Sequence, residues 1–236
     1  MFRLEFSDDI AVVLLDAAPV NAMTFASWAT LPDLIREAEQ HGAKALVFSG
    51  QPHKHFCAGN DVREFKDLTP QDTLRGVATV RAAVKAVHES RLPAIAALHG
   101  AVMGSGLILA CACDIRVATA DARLGLPEVK VNSYGGFAML SETLPRGEAR
   151  SMTLTGNPIS GARAFELGMV QELADNAPAV LEKAMQITAQ ITSTLTGRLA
   201  DEIKAVMNNQ EQHPLWQSYE LEREFASRIM GTAGNS

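Results

Sequence analysis

The chain has 236 residues, of which 47% are hydrophobic and 20% are charged. This composition is typical of a folded soluble protein and includes no apolar run long enough to predict a membrane span. The formal net charge of −6 argues against a general nucleic-acid-binding protein. Its three cysteines, an odd number, fit reduced thiols better than a disulfide framework, and the first residues do not resemble a signal peptide. We therefore expect a cytoplasmic protein.

The first third of the chain predicts a hairpin, a helix and a buried strand. Thr24 is placed to cap the helix, whose apolar residues recur at helical spacing. Pro32 falls within that pattern and predicts a kink or a late helix start. In chain order these elements span residues 2–6 with 10–15, Thr24 to about Gly42, and 44–48.

The middle of the chain repeats the order strand, helix, strand. Thr69-Pro70 predicts the start of a second helix, which stops before Pro93. Its predicted buried face carries Leu74, Val77, Val80, Val84 and Val87. The next predicted elements are a strand at 94–98, a helix from about Ser105 and a strand at 115–118. This order favours a largely parallel sheet covered by helices, an α/β class.

Strand signals fade after Pro158, and the remaining elements read as helices. They span residues 162–167, 179–194 and 215–230, and are separated by Gly168, Gly197 and Pro214. We therefore predict two parts, a core at residues 1–155 and a helical oligomerisation subdomain at 156–236. The final residues, 231–236, predict a flexible tail.

A glycine-rich turn at Gly104-Ser105-Gly106 leads from a short apolar strand into an apolar helix. The first N–H groups of a helix have no internal partner and carry the positive end of the helix dipole, so we expect an anion or a developing oxyanion near Ser105. A second glycine-containing turn, residues 56–61, follows an earlier strand. Two such turns can direct two amides at one oxygen. Each glycine alone is equally explained by close packing of strand and helix.

Taken together, these motifs resemble those of the crotonase superfamily, the enoyl-CoA hydratase/isomerase family. The resemblance rests on the order and spacing of several motifs, none of them specific alone. They are Pro19-Val20-Asn21-Ala22-Met23, Phe56-Cys57-Ala58-Gly59-Asn60-Asp61, Gly104-Ser105-Gly106, Cys113-Asp114-Ile115-Arg116, Leu126-Pro127-Glu128 and Leu154-Thr155-Gly156.

The resemblance implies a ββα spiral core, a homotrimer or hexamer, and an acyl-CoA thioester as substrate, with no separate cofactor. By position, the amides of Ala58 and Ser105 would hold the thioester oxygen, and Glu128 would be the acid/base. A carboxylate against apolar walls has a raised pKa suited to passing a proton both ways. The substrate-binding residues implied around this site are Asn60, Asp61, Gly104, Gly106, Ile108 and Gly136.

Hydratases of this family carry a second catalytic glutamate where this chain has Ile108. Adding water needs a positioned nucleophile and a proton donor, whereas moving a double bond needs one base. The lone Glu128 and the Pro19-Val20-Asn21 motif therefore resemble the Δ3,Δ2-enoyl-CoA isomerase branch most. Hydratase, acyl-CoA hydrolase and decarboxylase activities, and a non-catalytic acyl-CoA-binding protein, remain open alternatives.

Three other site types fit the sequence less well. A dinucleotide fingerprint fails because its third glycine would fall at Leu109. A serine-hydrolase elbow fails because Met103 and Leu107 flank Ser105 where that motif has glycines. No Cys/His cluster has metal-ligand spacing, so we predict no metal site.

Overall fold

The computed structural model describes residues 1–66 and 68–232. Their backbone hydrogen bonds define the following elements. The strands are β1 Phe2–Ser7, β2 Ile10–Leu15, β3 Ala22–Met23, β4 Ala45–Ser49, β5 Gly59–Asn60, β6 Ala94–Leu98, β7 Ala101–Met103, β8 Ile115–Thr119, β9 Arg123–Gly125, β10 Ile159–Ser160 and β11 Glu172–Ala174. The helices are α1 Phe25–Gln40, α2 Pro70–Glu89, α3 Ser105–Ala112, α4 Phe137–Thr143, α5 Arg146–Thr155, α6 Gly161–Glu166, α7 Ala177–Thr194, α8 Gly197–Gln210 and α9 Leu215–Thr232, with short 3-10 helices at Val62–Phe65 and Glu128–Val131.

The largest sheet has six strands in the order β1-β2-β4-β6-β8-β11. The first pair is the predicted antiparallel hairpin, and the remaining pairs are parallel. Parallel strands need crossover connections, which here include helices α1, α2 and α3. The predicted α/β class is confirmed.

Both faces of the central strands β2, β4 and β6 are buried, which explains their nearly continuous apolar runs. Along β4, Leu46 and Phe48 join the larger core with Trp28 of α1, whereas Val47 joins a second core beneath α7. Alternate side chains of one strand therefore pack against different helical layers.

Two smaller sheets lie at the ends of the main strands. One has the order β10-β9-β7, and the other pairs β3 with β5 in parallel. An isolated parallel bridge between Cys57 and Val102 connects the segment before β5 to β7. These short pairings place the two glycine-containing turns side by side.

The C-terminal segment joins the sheets of the preceding part. Strand β11 pairs with β8, β10 pairs with β9, and α7 packs on β4, β6 and β8. Helix α8 is held by Lys204, a fully buried side chain whose Nζ contacts the Asp114 carboxylate at 2.9 Å and donates to the carbonyls of Val87 and Leu92. The boundary at residue 155 stays a prediction.

Several details differ from the sequence predictions. Helix α1 starts at Phe25 and runs through Pro32, so the late start is wrong. Helices α4, α5 and α8 and strands β10 and β11 were not predicted. The two strands have two and three residues, too few for an alternating pattern to be visible. Helix α9 includes residues 231 and 232, which were predicted as tail, whereas the rest of the tail lies outside the described residues.

The predicted face of α2 is correct only in its second half. Val84 and Val87 are buried, but Leu74 and Val77 are 69% and 51% exposed. Gly76 instead faces the core, because a Cβ there would lie only 2.5 Å from the Phe25 ring. Because Gly76 has no side chain, α2 can approach the start of α1 closely. This packing turns Leu74 and Val77 outward.

Candidate active site

The N-terminus of α3 presents amides without helical partners. Gly104 precedes the helix with φ +55° and ψ −126°, a conformation essentially restricted to glycine. The Ile108 N–H donates to the Gly104 carbonyl at 3.0 Å, closing the first helical turn. The amides of residues 105–107 therefore precede the first such bond, at the positive end of the helix dipole.

The Glu128 carboxylate lies against this turn. A Cβ on Gly104 would be 2.8 Å from Glu128 Oε1, so only glycine leaves room for the carboxylate. Glu128 is half-buried, and its Oε2 atom is buried with no hydrogen-bond partner among the described residues. Burial raises the pKa of Glu128 above its usual range, because desolvation penalises the charged form. The site therefore holds a carboxyl group with increased proton affinity.

The turn containing Ala58 runs beside the α3 turn. Backbone bonds between Cys57 and strand β7 join the two segments, with Cys57 N donating to Ala101 O at 3.0 Å and Met103 N to Cys57 O at 2.9 Å. A Cβ on Gly59 would lie 3.8 Å from the Gly104 Cα. The structure thus brings the predicted amide-bearing turns together.

The Ala58 amide already has two weak acceptors. Its N–H points to the carbonyls of Val20 and Asn21 at 3.2 and 3.3 Å, a long three-centre arrangement. Shared bonds of this length are weaker than a single bond near 2.9 Å. The sequence predicted that this N–H has no hydrogen-bond partner. In the structure, a ligand oxygen would bind the Ala58 N–H only by replacing these two long bonds.

Asn21 organises the Ala58 turn, a role that the sequence analysis did not assign. This fully buried residue has φ +55°, and its Nδ2 donates toward the carbonyls of Gly50, His55 and Phe56 at 3.2, 2.9 and 3.2 Å. Its Oδ1 accepts from the Ala17 N–H at 2.9 Å. Asparagine tolerates the left-handed region better than most residues, which gives a physical signal for its place in the Pro19-Val20-Asn21 motif.

Asn60 links the two turns through its side chain. Its Oδ1 accepts from Ser105 Oγ and from Trp28 Nε1, each at 2.8 Å. The Ser105 hydroxyl is thus bound to a neutral amide and not to a histidine base, which argues against a serine nucleophile. Trp28 is one of the apolar residues at helical spacing in the predicted first helix, and that spacing does not indicate this contact, although a buried indole N–H normally needs a partner.

Ile108 and Gly136 form an apolar wall nearby. A Cβ on Gly136 would lie 2.5 Å from Ile108 Cδ1 and 3.3 Å from a methyl carbon of Leu126. Gly136 also has φ +79°. The loop after Glu128 can therefore cross Ile108 only with glycine at this position, and the crossing covers the isoleucine.

Gly106 and Asp61, predicted to bind substrate, have contacts of another kind. A Cβ on Gly106 would lie 2.5 Å from the Cys57 Cβ, so this glycine allows close packing. The Asp61 carboxylate accepts from the Arg63 N–H at 3.0 Å and pairs with the Arg63 guanidinium at 2.6 Å. The hydrogen bonds from Arg63 lower the pKa of Asp61. Substrate binding by either residue stays a prediction.

A family model described as enoyl-CoA hydratase/isomerase matches residues 5–234 of the chain. This match spans nearly the whole chain and includes every residue of the site. The chain belongs to the enoyl-CoA hydratase/isomerase family.

Individual relatives of this family carry different activities in their names. The chain is 33% identical over 206 residues to a probable enoyl-CoA hydratase of Bacillus subtilis, covering 85% of this chain and 79% of the relative. It is 28% identical over 169 residues to a peroxisomal Delta(3,5)-Delta(2,4)-dienoyl-CoA isomerase of Arabidopsis thaliana, covering 65% and 61%.

Solved structures of the family share this fold. The crystal structure of an enoyl-CoA hydratase from Bacillus anthracis superposes with a TM-score of 0.89 at 25% identity, covering 98% of this chain and 91% of that one. The predicted crotonase-like core with C-terminal helices is therefore confirmed. Within the described residues, no helix combines the length and apolarity needed to cross a membrane.

As a member of the enoyl-CoA hydratase/isomerase family, the protein processes acyl-CoA thioesters. Glu128 is the carboxylate that contacts the glycine turn of α3, and an isoleucine stands one helical turn into α3. The site therefore combines a protonatable group, helix N-terminal amides and an apolar wall, the requirements for enolate chemistry.

Proposed function

We propose that this protein moves a double bond along an enoyl-CoA substrate, from the 3,4 to the 2,3 position. The observation that carries the proposal is Glu128 itself, a half-buried carboxyl group with a raised pKa beside the Gly104 turn. Such a group can accept a proton at one carbon and return it to another. The methyl-rich side chain of Ile108 limits water near the reacting atoms.

In this mechanism, the Glu128 carboxylate removes a proton from C2 of the 3-enoyl thioester. The electron pair of the C2–H bond forms the C1–C2 double bond, and negative charge moves to the thioester oxygen. The protonated Glu128 then delivers its proton to C4, where the electron pair of the C3–C4 double bond forms the new C–H bond. The electron pair of the C1–C2 double bond moves to form the C2–C3 double bond, and the oxygen restores the thioester carbonyl. No water, metal or redox cofactor takes part in this sequence.

Stabilisation of the dienolate oxygen is assigned to the backbone amides of Ser105 and Ala58. Preorganised amides act strongly on charge that develops during reaction, and loss of one such donor typically costs about 100- to 1,000-fold in rate. The Ala58 N–H would exchange its two long bonds to Val20 and Asn21 for one charge-assisted bond. This exchange favours the anion over the neutral thioester, as catalysis requires.

The acyl chain is expected to follow an exposed apolar surface that begins two residues after Asn60. Val62 and Phe65 of the 3-10 helix are 71% and 36% exposed, and Leu74 and Val77 of α2 are 69% and 51% exposed. The edge contact of the Phe25 and Phe65 rings, 5.2 Å apart, anchors the 3-10 helix to α1. An apolar chain would bury surface that is otherwise exposed to water.

The family resemblance supports a homotrimer or hexamer, and the exposed Leu215, Trp216 and Tyr219 of α9 give apolar surface for such an assembly. A cytoplasmic location is supported by the three cysteines, which are buried free thiols. Both statements are part of the proposal.

Hydration of a 2-enoyl-CoA is the second candidate, because the Bacillus subtilis relative is named a probable enoyl-CoA hydratase. That reaction needs a group to orient water. The isoleucine at position 108 offers no hydrogen-bonding atom for this purpose, which favours isomerisation.

The test uses the purified protein with a 3-enoyl-CoA and, separately, a 2-enoyl-CoA in heavy-oxygen water. Isomerisation predicts growth of the ultraviolet absorbance of the conjugated thioester and no heavy oxygen in the products. Hydration predicts loss of that absorbance and one heavy oxygen per product molecule. Turnover of the 2-enoyl-CoA alone would show that the protein is a hydratase and not an isomerase. Binding of both substrates without turnover would indicate an acyl-CoA-binding protein.

A further inference from the structure

Three elements meet at one side-chain oxygen beside the proposed oxyanion site. Trp28 of α1 and Ser105 of α3 both hydrogen-bond to Asn60 Oδ1 of β5, each at 2.8 Å. Trp28 is fully buried, Ser105 is 7% exposed and Asn60 is half-buried. The three residues are far apart in the chain, so only the fold brings them together.

Hydrogen-bond chemistry determines the direction of both bonds. An indole N–H can only donate, so the Asn60 atom beside Trp28 is the amide oxygen. That oxygen has no proton, and the Ser105 hydroxyl must therefore donate to it as well. The Ser105 proton thus points toward Asn60, which determines the orientation of the Ser105 side chain.

The same contacts connect the two proposed oxyanion donors. Asn60 lies two residues after Ala58, and its backbone pairs with Met23 in the small parallel sheet. Ser105 carries the other proposed amide on its own backbone. A bond between Asn60 and Ser105 therefore restricts how far the two amides can move relative to each other.

Trp28 holds the third member of this group in place. Its ring packs edge-on against Phe2 with ring centroids 5.3 Å apart, and the backbone N–H of Trp28 donates to the Thr24 carbonyl at 3.0 Å. Because the indole is rigidly packed in the core, it limits rotation of the Asn60 amide. Loss of the acceptor would leave a buried indole N–H and a buried hydroxyl unpaired.

We propose that Trp28 and Asn60 are positioning residues, which act through Ser105 to keep the first turn of α3 directed at the thioester oxygen. This inference rests on the proposed function. It predicts that the bonds matter more for the anionic transition state than for substrate binding, because a small displacement of an oxyanion donor mainly weakens its interaction with developing charge.

The first measurement compares Asn60→Leu, Trp28→Phe and Ser105→Ala with the wild type. We expect Asn60→Leu to lower kcat about 10- to 100-fold while KM changes by less than about threefold. Trp28→Phe, which removes one donor and keeps the Asn60–Ser105 bond, should lower kcat less. Ser105→Ala keeps the backbone amide and is the mildest variant for folding, and it should also lower kcat. Ser105→Thr keeps the hydroxyl and should therefore retain most of the wild-type kcat.

Fluorescence provides a readout that does not depend on turnover. The chain has two tryptophans, so in a Trp216→Phe background the emission comes from Trp28 alone. Asn60→Leu should shift that emission to shorter wavelength, because the indole loses its acceptor in apolar surroundings. Binding of a saturated acyl-CoA should change the emission of the Trp216→Phe protein. It should leave the emission of the Trp216→Phe, Asn60→Leu double variant nearly unchanged.

Infrared difference spectra of the bound saturated thioester separate the possible outcomes. We expect the wild type to lower the carbonyl stretching frequency and Asn60→Leu and Ser105→Ala to lower it less. If folded variants keep both the wild-type frequency and the wild-type kcat, the positioning role is overturned and the proposed function stands. If the wild-type protein binds no acyl-CoA thioester, both the proposed function and this role are wrong.

Discussion

Glu128 and Gly104 are in such close contact that a side chain at residue 104 would displace the carboxylate. Oε1 of Glu128 lies 2.8 Å from the position of a Cβ on residue 104. The sequence presents Gly104 as part of a helix-start motif, whereas the fold adds a second reason for glycine. The absence of a side chain lets the proposed base lie directly against the turn that begins α3.

We expect Gly104→Ala to abolish most activity while the protein still folds. The added methyl group would push the Glu128 carboxylate aside, and the backbone conformation of residue 104, with φ +55° and ψ −126°, would cost on the order of 1–3 kcal/mol with a side chain present. Gly42→Ala is a matched control, because Gly42 also has positive φ but nothing lies within 4 Å of its Cβ position. Both variants should lose stability in chemical denaturation, Gly104→Ala at least as much as Gly42→Ala, and only Gly104→Ala should lose turnover. Equal turnover in the two variants would contradict the proposed position of the base.

Glu128→Gln should abolish turnover while acyl-CoA binding survives, because the amide keeps the shape but cannot accept a proton. We expect a fall in kcat of at least about 100-fold, with little change in the dissociation constant of a saturated acyl-CoA. Near wild-type turnover of a 3-enoyl-CoA would remove Glu128 from the mechanism.

The same variant tests the raised pKa of Glu128 through stability. A carboxyl group whose pKa is higher in the folded state than in the unfolded state destabilises the fold as pH rises through the folded-state value. Glu128→Gln should therefore have a higher free energy of unfolding than the wild type at neutral pH. The difference should shrink as pH falls, when both side chains are neutral. A pH-independent difference would indicate that burial of Glu128 is not the cause.

Ile108→Glu should lose isomerase activity and gain slight hydration of a 2-enoyl-CoA. A second carboxylate near Glu128 would couple their titrations and hold water that the isoleucine excludes. Ile108→Gln is the matched control, since it adds a polar group without charge. Product analysis by mass spectrometry distinguishes the two reactions, and a folded Glu variant with unchanged isomerisation would place the site elsewhere.

Stability should fall as pH decreases below about 6.5, the unperturbed value for histidine. Desolvation lowers the pKa of both His55 and His99 in the folded state. His55 Nδ1 accepts the Ala101 N–H at 3.1 Å, so protonation at that atom would break a bond beside the Ala58 turn. The unfolded chain therefore binds protons first as pH falls from neutrality.

His55→Asn keeps an acceptor near Nδ1, and His99→Gln keeps a donor for the His53 carbonyl, which His99 Nε2 contacts at 2.9 Å. The double variant should show a flatter dependence of unfolding free energy on pH between 7 and 5 than the wild type, measured by denaturant titration. An unchanged slope would show that other groups control the acid sensitivity.

Light scattering at micromolar concentration should give the mass of a trimer or hexamer. Replacing the exposed Leu215 and Trp216 of α9 with polar residues should reduce that mass if this helix contributes to the interface. A monomeric mass for the wild-type protein would contradict the proposed assembly.

The sequence by itself determined the α/β class, the largely parallel sheet and the two glycine turns, whereas Glu128 became the acid/base candidate only through the family resemblance. These features follow from patterns within short segments, because hydrophobic periodicity and glycine-dependent turns reflect local backbone geometry. The family resemblance added the role of each position. It also identified Ile108 as the departure from the hydratase pattern.

Only the tertiary structure decided which polar atoms are partners. The Ser105–Asn60 and Trp28–Asn60 bonds span 45 and 32 residues, and the competing acceptors of the Ala58 amide belong to a segment near residue 20. The outward turn of Leu74 and Val77 likewise followed from the close contact between Gly76 and the Phe25 ring. Such pairings depend on how helices and strands distant in the chain pack together, because side-chain contacts across elements have no period in the sequence.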